Sequence, residues 1–206
     1  KPGLLVNLQK LGIHGHTLNY IKTFLAERTF QVKVGNSLSI KTVLDTGIAQ
    51  GSIIAPLLFL VMINDFPNCL NIENMLFADD SAIFKSGRYL KFIADSLQKH
   101  LNVIQNWCEE WGFKLSPSKT TAVVFTLKRV PQDIVKVLKI GNNTIKVEKT
   151  VKFLGIIFDS RLTWMAHLQY VENKCKRRLQ LMRVISGNKW GADINSLLTI
   201  YKTLIR

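Results

Sequence analysis

A chain of 206 residues, 47% of them hydrophobic, can bury a core without disulfide staples. Lys and Arg outnumber Asp and Glu by 28 to 14, and the net charge of +14 attracts polyanions. Such an excess suits nucleic acid, an anionic membrane surface or plain solubility. Cys69, Cys108 and Cys175 stand far apart with no CxxC pair, so they give no zinc site and no disulfide framework, and they fit thiols in a reducing compartment. No secretory signal opens the chain, and the longest apolar run, Ile53–Ile63, contains Pro56 and falls short of the ~20 residues of a spanning helix. No membrane association is therefore expected. Lys1 rather than a methionine comes first, which suggests a truncated open reading frame.

The elements run as follows. Leu4, Leu5, Leu8 and Leu11 recur at helical spacing, and Gly12 closes that helix. Thr17 is a candidate N-cap for a second helix carrying Leu18, Ile21, Phe24 and Leu25. Phe30–Val34 and Leu38–Leu44 flank Gly35-Asn36 and predict a hairpin. Ser52 leads an apolar stretch to about Asn64, a buried helix in which Pro56 fits only the first turn. Met75–Phe84 holds two short apolar runs around Asp79-Asp80. A helical pattern fills Leu90 to Trp111, where Trp107 and Trp111 are more at home in a core than in base stacking. Strands are predicted at Ala122–Thr126, Val135–Ile140, Thr144–Val147 and Val151–Asp159, with a turn at Gly141-Asn142-Asn143. Helical patterns at Trp164–Ile185 and Ile194–Ile205 complete the chain. The order predicts an α+β sheet domain with a helical appendage from about residue 160.

Asp79-Asp80 carries the strongest chemical signal. Adjacent carboxylates repel, and burial between apolar runs adds a desolvation cost. A divalent cation removes both, because Mg²⁺ takes hard oxygen ligands from one or two carboxylates and from substrate phosphates. A plain polar turn is the simpler reading of two Asp residues, and only their apolar flanks argue for more.

Phe77-Ala78-Asp79-Asp80 resembles the aromatic-Ala-Asp-Asp signature of reverse transcriptases. Thr46-Gly47-Ile48-Ala49-Gln50-Gly51-Ser52 resembles their Gly-x-Pro-Gln-Gly-Ser block, with Ala49 where the family has Pro, followed by Pro56-Leu57-Leu58-Phe59 and Ile63-Asn64-Asp65. Leu115-Ser116-Pro117-Ser118-Lys119-Thr120, Phe153-Leu154-Gly155-Ile156, and Leu162-Thr163-Trp164 with His167 resemble the later blocks, in order. The resemblance lies with retrotransposons lacking long terminal repeats, of the jockey-like, LINE type.

The resemblance implies a palm over residues 1–159, an antiparallel sheet with helices packed on one face, and the start of a helical thumb over 160–206. It implies an RNA-directed DNA polymerase adding dNTPs to a primer 3′-hydroxyl by a two-metal mechanism, with Mg²⁺ (or Mn²⁺) on Asp79 and Asp80. Gln50, Gly51, Ser52 and Lys119 would contact the nucleotide and template, Phe153, Leu154 and Gly155 would grip the primer, and Arg177, Arg178 and Arg183 would track the nucleic-acid backbone. For each a bland alternative stays open: a capped helix after a turn, a solvated lysine, an ordinary strand, a solvated helix face. The implied partners are an RNA template, a DNA primer, dNTPs and the N-terminal fingers and endonuclease of the same polyprotein, in the cytoplasm or nucleus. The family's other metal-binding Asp lies in a strand before Lys1, so the chain alone is expected to be weak or inactive. A relic that only binds nucleic acid is the alternative.

Overall fold

The computed structural model of the protein describes all residues except 1, 45–46, 50, 67–69, 129–137, 188–189 and 206. The expectations for Gln50 and for the strand start at 135–137 lie outside the described residues. The chain divides into two compact units, Lys1–Leu115 with Lys139–Gly141, and Ser116–Leu138 with Asn142–Arg206. Both helices and strands occur, so the α+β class holds.

In the first unit, α1 spans Pro2–Lys10 and α2 Gly15–Leu25. The first ends by a crossed pair of bonds, Gly12 N–H to Gln9 O at 2.9 Å and Ile13 N–H to Leu8 O at 3.0 Å. The second begins two residues before the expected cap. His14 is its N-cap and makes no side-chain cap bond, so Thr17 lies inside the first turn. Strands β1 (Thr29–Phe30) and β4 (Thr42–Val43) pair outside β2 (Lys33–Val34) and β3 (Ser37–Leu38), the hairpin expected around Gly35-Asn36. Helix α3 covers Ala55–Ile63 with Pro56 in its first turn, where a missing N–H costs nothing. Leu4 and Leu8 of α1, Ile21 and Leu25 of α2 and Leu58 of α3 form one buried cluster. Full burial of a leucine contributes about 1.5–3 kcal/mol.

The second cluster of this unit supports the hairpin of β5 (Glu73–Phe77) and β6 (Asp80–Phe84). Helix α4 spans Leu90–Trp111, as its 3.6-residue apolar period predicts. Gly112 takes φ 74°, which L side chains rarely adopt, and Phe113 N–H bonds Cys108 O at 2.8 Å. Ile104 and Cys108 of α4 bury with Phe66 and Leu70, and Leu76 and Ile83 of the hairpin pack against them. The helix after Ser52 is expected on this same face; α3 packs mainly against α1, while its Phe59 meets Phe113 of this cluster edge-on at 6.3 Å, and the segment after it supplies Phe66 and Leu70. The fully apolar sequence of α3 has no preferred side, so its period could not choose the neighbour.

Strand β8 (Lys139–Ile140) has its backbone held by two amides of α4. Gln98 Oε1 accepts from Lys139 N–H at 2.7 Å while its Nε2 donates to Lys139 O at 3.1 Å. Gln105 Oε1 accepts from Gly141 N–H at 3.0 Å. Seven residues apart, the two side chains share one face of α4.

In the second unit, β7 (Thr121–Ala122) pairs in parallel with β10 (Lys146–Val147). The strand expected over Ala122–Thr126 keeps only its first residue in a ladder. The strand expected over Thr144–Val147 divides at the buried Ile145, between β9 (Asn143–Thr144) and β10. Strands β11 (Thr150–Phe153) and β12 (Ile156–Asp159) form an antiparallel hairpin. Helices α5 (Met165–Ile185) and α6 (Ile194–Leu204) follow, the latter capped by Asp193, whose carboxylate accepts from Asn195 and Ser196 N–H. Among the described residues each sheet has two strands, and there is no single broad antiparallel sheet.

Candidate active site

The β5–β6 hairpin is closed by Ala78 and Asp79, between the paired Phe77 and Asp80. Ala78 has φ 52° and Asp79 does not share the left-handed region, the pattern of a type II′ turn. That turn normally takes glycine at its first position, so alanine there stores about 1–2 kcal/mol. Cross-strand partners share a face, so the register places Asn74, Leu76, Ser81 and Ile83 on one side and Met75, Phe77, Asp80, Ala82 and Phe84 on the other. The first side packs on α4; on the second, Met75, Phe77 and Phe84 are exposed.

Asp79 and Asp80 are both exposed, at the tip, with strands and α4 fixing their backbone. Among the described residues neither carboxylate makes a hydrogen bond or ion pair. Their oxygens are therefore free to take a hard cation, and two carboxylates match the protein's usual share of a Mg²⁺ shell. No group of three His, Cys, Asp or Glu side chains able to hold a metal occurs among the described residues. The pair fits such an ion as part of a ligand set.

Gly51 has φ 83° and open space where a Cβ would stand, so the turn itself, not a close neighbour, calls for glycine. Ser52 does not cap α3, whose N-cap is Ile54. Its Oγ is buried with no hydrogen-bond partner. Among the described residues no hydrogen bond joins Gly51 or Ser52 to the hairpin tip.

Lys119, Phe153–Gly155 and the three arginines belong to the second unit. Lys119 is exposed in a turn, its N–H bonded to Ser116 O at 3.1 Å. Leu154 (φ 47°) and Gly155 (φ 85°) close the β11–β12 hairpin as a type I′ turn, with Leu154 exposed. Just beyond it, Asp159 Oδ1 accepts from Arg161 and Thr163 N–H, each at 3.1 Å, and Oδ2 from Trp164 N–H at 2.8 Å. These amides, that of Thr163 foremost, hold its carboxyl below the usual carboxylate range. The knot sustains left-handed Leu162 and Trp164 at the entry to α5.

The arginines of α5 separate. Arg178 donates to the carbonyl of Leu204 in α6, and Arg183 lies about 140° round the helix from Tyr170. Arg177 shares the face of Tyr170, one helical stripe with His167 and Lys174. Lys152 of β11 reaches that stripe: its Nζ donates to Tyr170 Oη at 3.1 Å and lies 4.6 Å from the ring centroid. Sequence reasoning missed Lys152 and Tyr170, since eighteen residues and a change of element separate them.

The β5–β6 hairpin thus presents two exposed carboxylates on a basic chain. The chain matches the family described as reverse transcriptase (RNA-dependent DNA polymerase) over residues 2–158, and it belongs to that family. It is 31% identical over 208 residues to a probable RNA-directed DNA polymerase from transposon BS of Drosophila melanogaster, covering 97% of this chain and 23% of that protein. It is 27% identical over 213 residues to the RNA-directed DNA polymerase from mobile element jockey of the same species, covering 99% and 23%. A third relative, a probable RNA-directed DNA polymerase from transposon X-element, is 26% identical over 90% of this chain and 21% of its own length. The expected kinship with jockey-like elements lacking long terminal repeats holds, and the chain spans under a quarter of these relatives' length. No helix among the described residues is long and apolar enough to cross a membrane.

Proposed function

We propose that this chain is the palm (1–159) and the start of the thumb (160–206) of a retrotransposon RNA-directed DNA polymerase, with Asp79 and Asp80 as part of its catalytic centre. The observation that carries this reading is the pair of exposed, unbonded carboxylates held at a hairpin tip by strands and α4. Asp79 and Asp80 would hold Mg²⁺, or Mn²⁺ in its place. Bound there, a pair of such ions supplies activation of the primer 3′-hydroxyl and charge relief on the departing pyrophosphate.

The chain's own residues position the reactants. The hairpin fixes the carboxylates, so no reorganisation is needed when charge develops. Gln50, Gly51 and Ser52 are assigned to the nucleotide and template, and Lys119 brings a compact positive charge to the triphosphate. Phe153, Leu154 and Gly155 hold the primer end, and basic side chains of α5 hold the backbone of the RNA template and DNA primer. The described residues hold no group of three metal-ligating side chains. Following the family resemblance, we assign the remaining ligand, with the fingers, to another part of the polyprotein. The chain alone then extends primers weakly or not at all.

The test uses a full polymerase containing this chain. Asp79→Asn keeps the side-chain size and removes the charge, so primer extension on an RNA template drops about a thousandfold or more, roughly 4 kcal/mol, with duplex binding nearly intact. Asp80→Asn is milder, and Asp45→Asn is nearly silent. Extension by Asp79→Asn at the parent rate would remove this hairpin from the chemistry.

A further inference from the structure

We infer that Lys152, Tyr170, Lys174 and Arg177 form a clamp for the phosphate backbone of a nucleic-acid strand on the face that α5 shares with β11. The inference rests on the preceding reading that the chain works on nucleic acid. It goes beyond that reading in joining to Arg177 three residues that no sequence motif marks, Lys152, Tyr170 and Lys174, and in separating these four from Arg178 and Arg183.

The geometry sets exposed donors along one stripe, where Arg177 Nε donates to Asn173 O at 3.3 Å and leaves the terminal N–H groups of its guanidinium for a ligand. Lys152 Nζ spends one of its three N–H bonds on Tyr170 Oη and sits against the ring, which fixes an otherwise flexible ammonium. Accepting that bond leaves the phenol's own O–H free to donate, and the nearby charge makes it a stronger donor. The Lys152 hydrogen bond first, and then the charges of Lys152, Lys174 and Arg177, hold the Tyr170 phenol below its ordinary value. Lys152 alone reaches that oxygen at hydrogen-bond distance, and Lys174 and Arg177 add positive charge around it. Lys152, Lys174 and Arg177 are exposed, and among the described residues no carboxylate lies within ion-pair distance of any of them. The neighbouring Lys176 is spent on Glu172, at 2.5 Å.

The length of the stripe selects the ligand. From Tyr170 to Arg177 the helix rises about 10 Å at ~1.5 Å per residue, against about 3.4 Å of axis per phosphate along one strand. A free phosphate or pyrophosphate is too short to meet the whole set, whereas a strand presents successive phosphates to it. His167, stacked on Tyr170 and accepting from Ile157 N–H, extends the aromatic floor toward the strands.

The test is titration of the 206-residue chain with a labelled RNA–DNA duplex over a range of KCl concentrations, with circular dichroism to confirm folding. The triple variant Lys152→Gln, Lys174→Gln, Arg177→Gln reduces the slope of log affinity against log salt by roughly 2–3, about 0.9 per lost phosphate contact. Tyr170→Phe keeps the ring and every charge, so it weakens binding about fivefold, the worth of one hydrogen bond, and leaves the slope unchanged. Lys176→Gln changes neither. A parental slope in the triple variant, while the parent binds duplex, overturns the clamp and leaves the polymerase reading standing. Loss of pyrophosphate binding with an unchanged duplex slope overturns it as well, in favour of a free-anion site. A parent chain with no affinity for duplex overturns both.

Discussion

The two long hairpins of the protein use the same device for opposite ends. β5–β6 and β11–β12 each turn in two residues, and each turn forces a residue other than glycine into the left-handed region, Ala78 in one and Leu154 in the other. The first presents carboxylates on a basic chain; the second presents an exposed leucine, followed along the chain by Asp159 and the basic stripe of α5. Backbone strain at a hairpin tip is thus indifferent to charge, and the side chain beside it decides what the tip can meet. In the reading proposed above, one tip holds cations and the other the primer.

The comparison can be broken at several levels. The largest separation is kinetic. Asp79→Asn costs about three orders of magnitude in extension, whereas Leu154→Ala, losing a positioning contact at the other tip, costs about tenfold, ~1.4 kcal/mol; equal losses in single-turnover extension would erase the distinction. Next comes support. Ile104 is buried in the cluster against which Leu76 and Ile83 of the hairpin pack, so Ile104→Ala destabilises the chain by about 2–5 kcal/mol, visible as a lower urea midpoint; an unchanged midpoint would mean the hairpin does not depend on α4. Smaller still is relief of strain. Ala78→Gly and Leu154→Gly each change stability by less than ~1 kcal/mol, left-handed strain being offset by glycine's extra chain entropy; a loss of several kcal/mol in either would show side-chain packing at that tip. The smallest effect is in pH. Because the Asp159 carboxyl is held low in the folded state, its contribution is fully present above the unfolded value and is lost as pH falls through the folded one. Thermal unfolding scans below about pH 4 should show Asp159→Asn less acid-sensitive than the parent; identical acid profiles would argue that the knot does not depend on charge.

Legibility in the sequence followed the range of the interaction. Helix α4 was readable to both ends because its apolar period and Gly112 are local. The hairpins at Gly35-Asn36 and Asp79-Asp80 were readable for the same reason. Thr17 misled because cap residues also occur inside first turns, and the bland alternative of a Ser52 cap fails because Ile54 holds that position. The ladder at Thr121–Ala122 depends on Lys146 and Val147, chosen by tertiary contact that β propensity does not encode. Of the site, the carboxylates were visible as a motif, while the meeting of Lys152 with Tyr170 needs a strand and a helix to be placed first.

The amides of Gln98 and Gln105 give α4 a property usually reserved for a neighbouring strand. By occupying Lys139 N–H and Gly141 N–H they shield both from solvent, although these residues lie at the surface. Deuterium uptake at these two positions is therefore governed by opening of α4's side chains rather than by unzipping of a sheet. Ageing acts on the same atoms. Deamidation of Gln98 to glutamate would remove the donor to Lys139 O and set a carboxylate against a carbonyl, loosening the hold of α4 on β8 with no break in the chain.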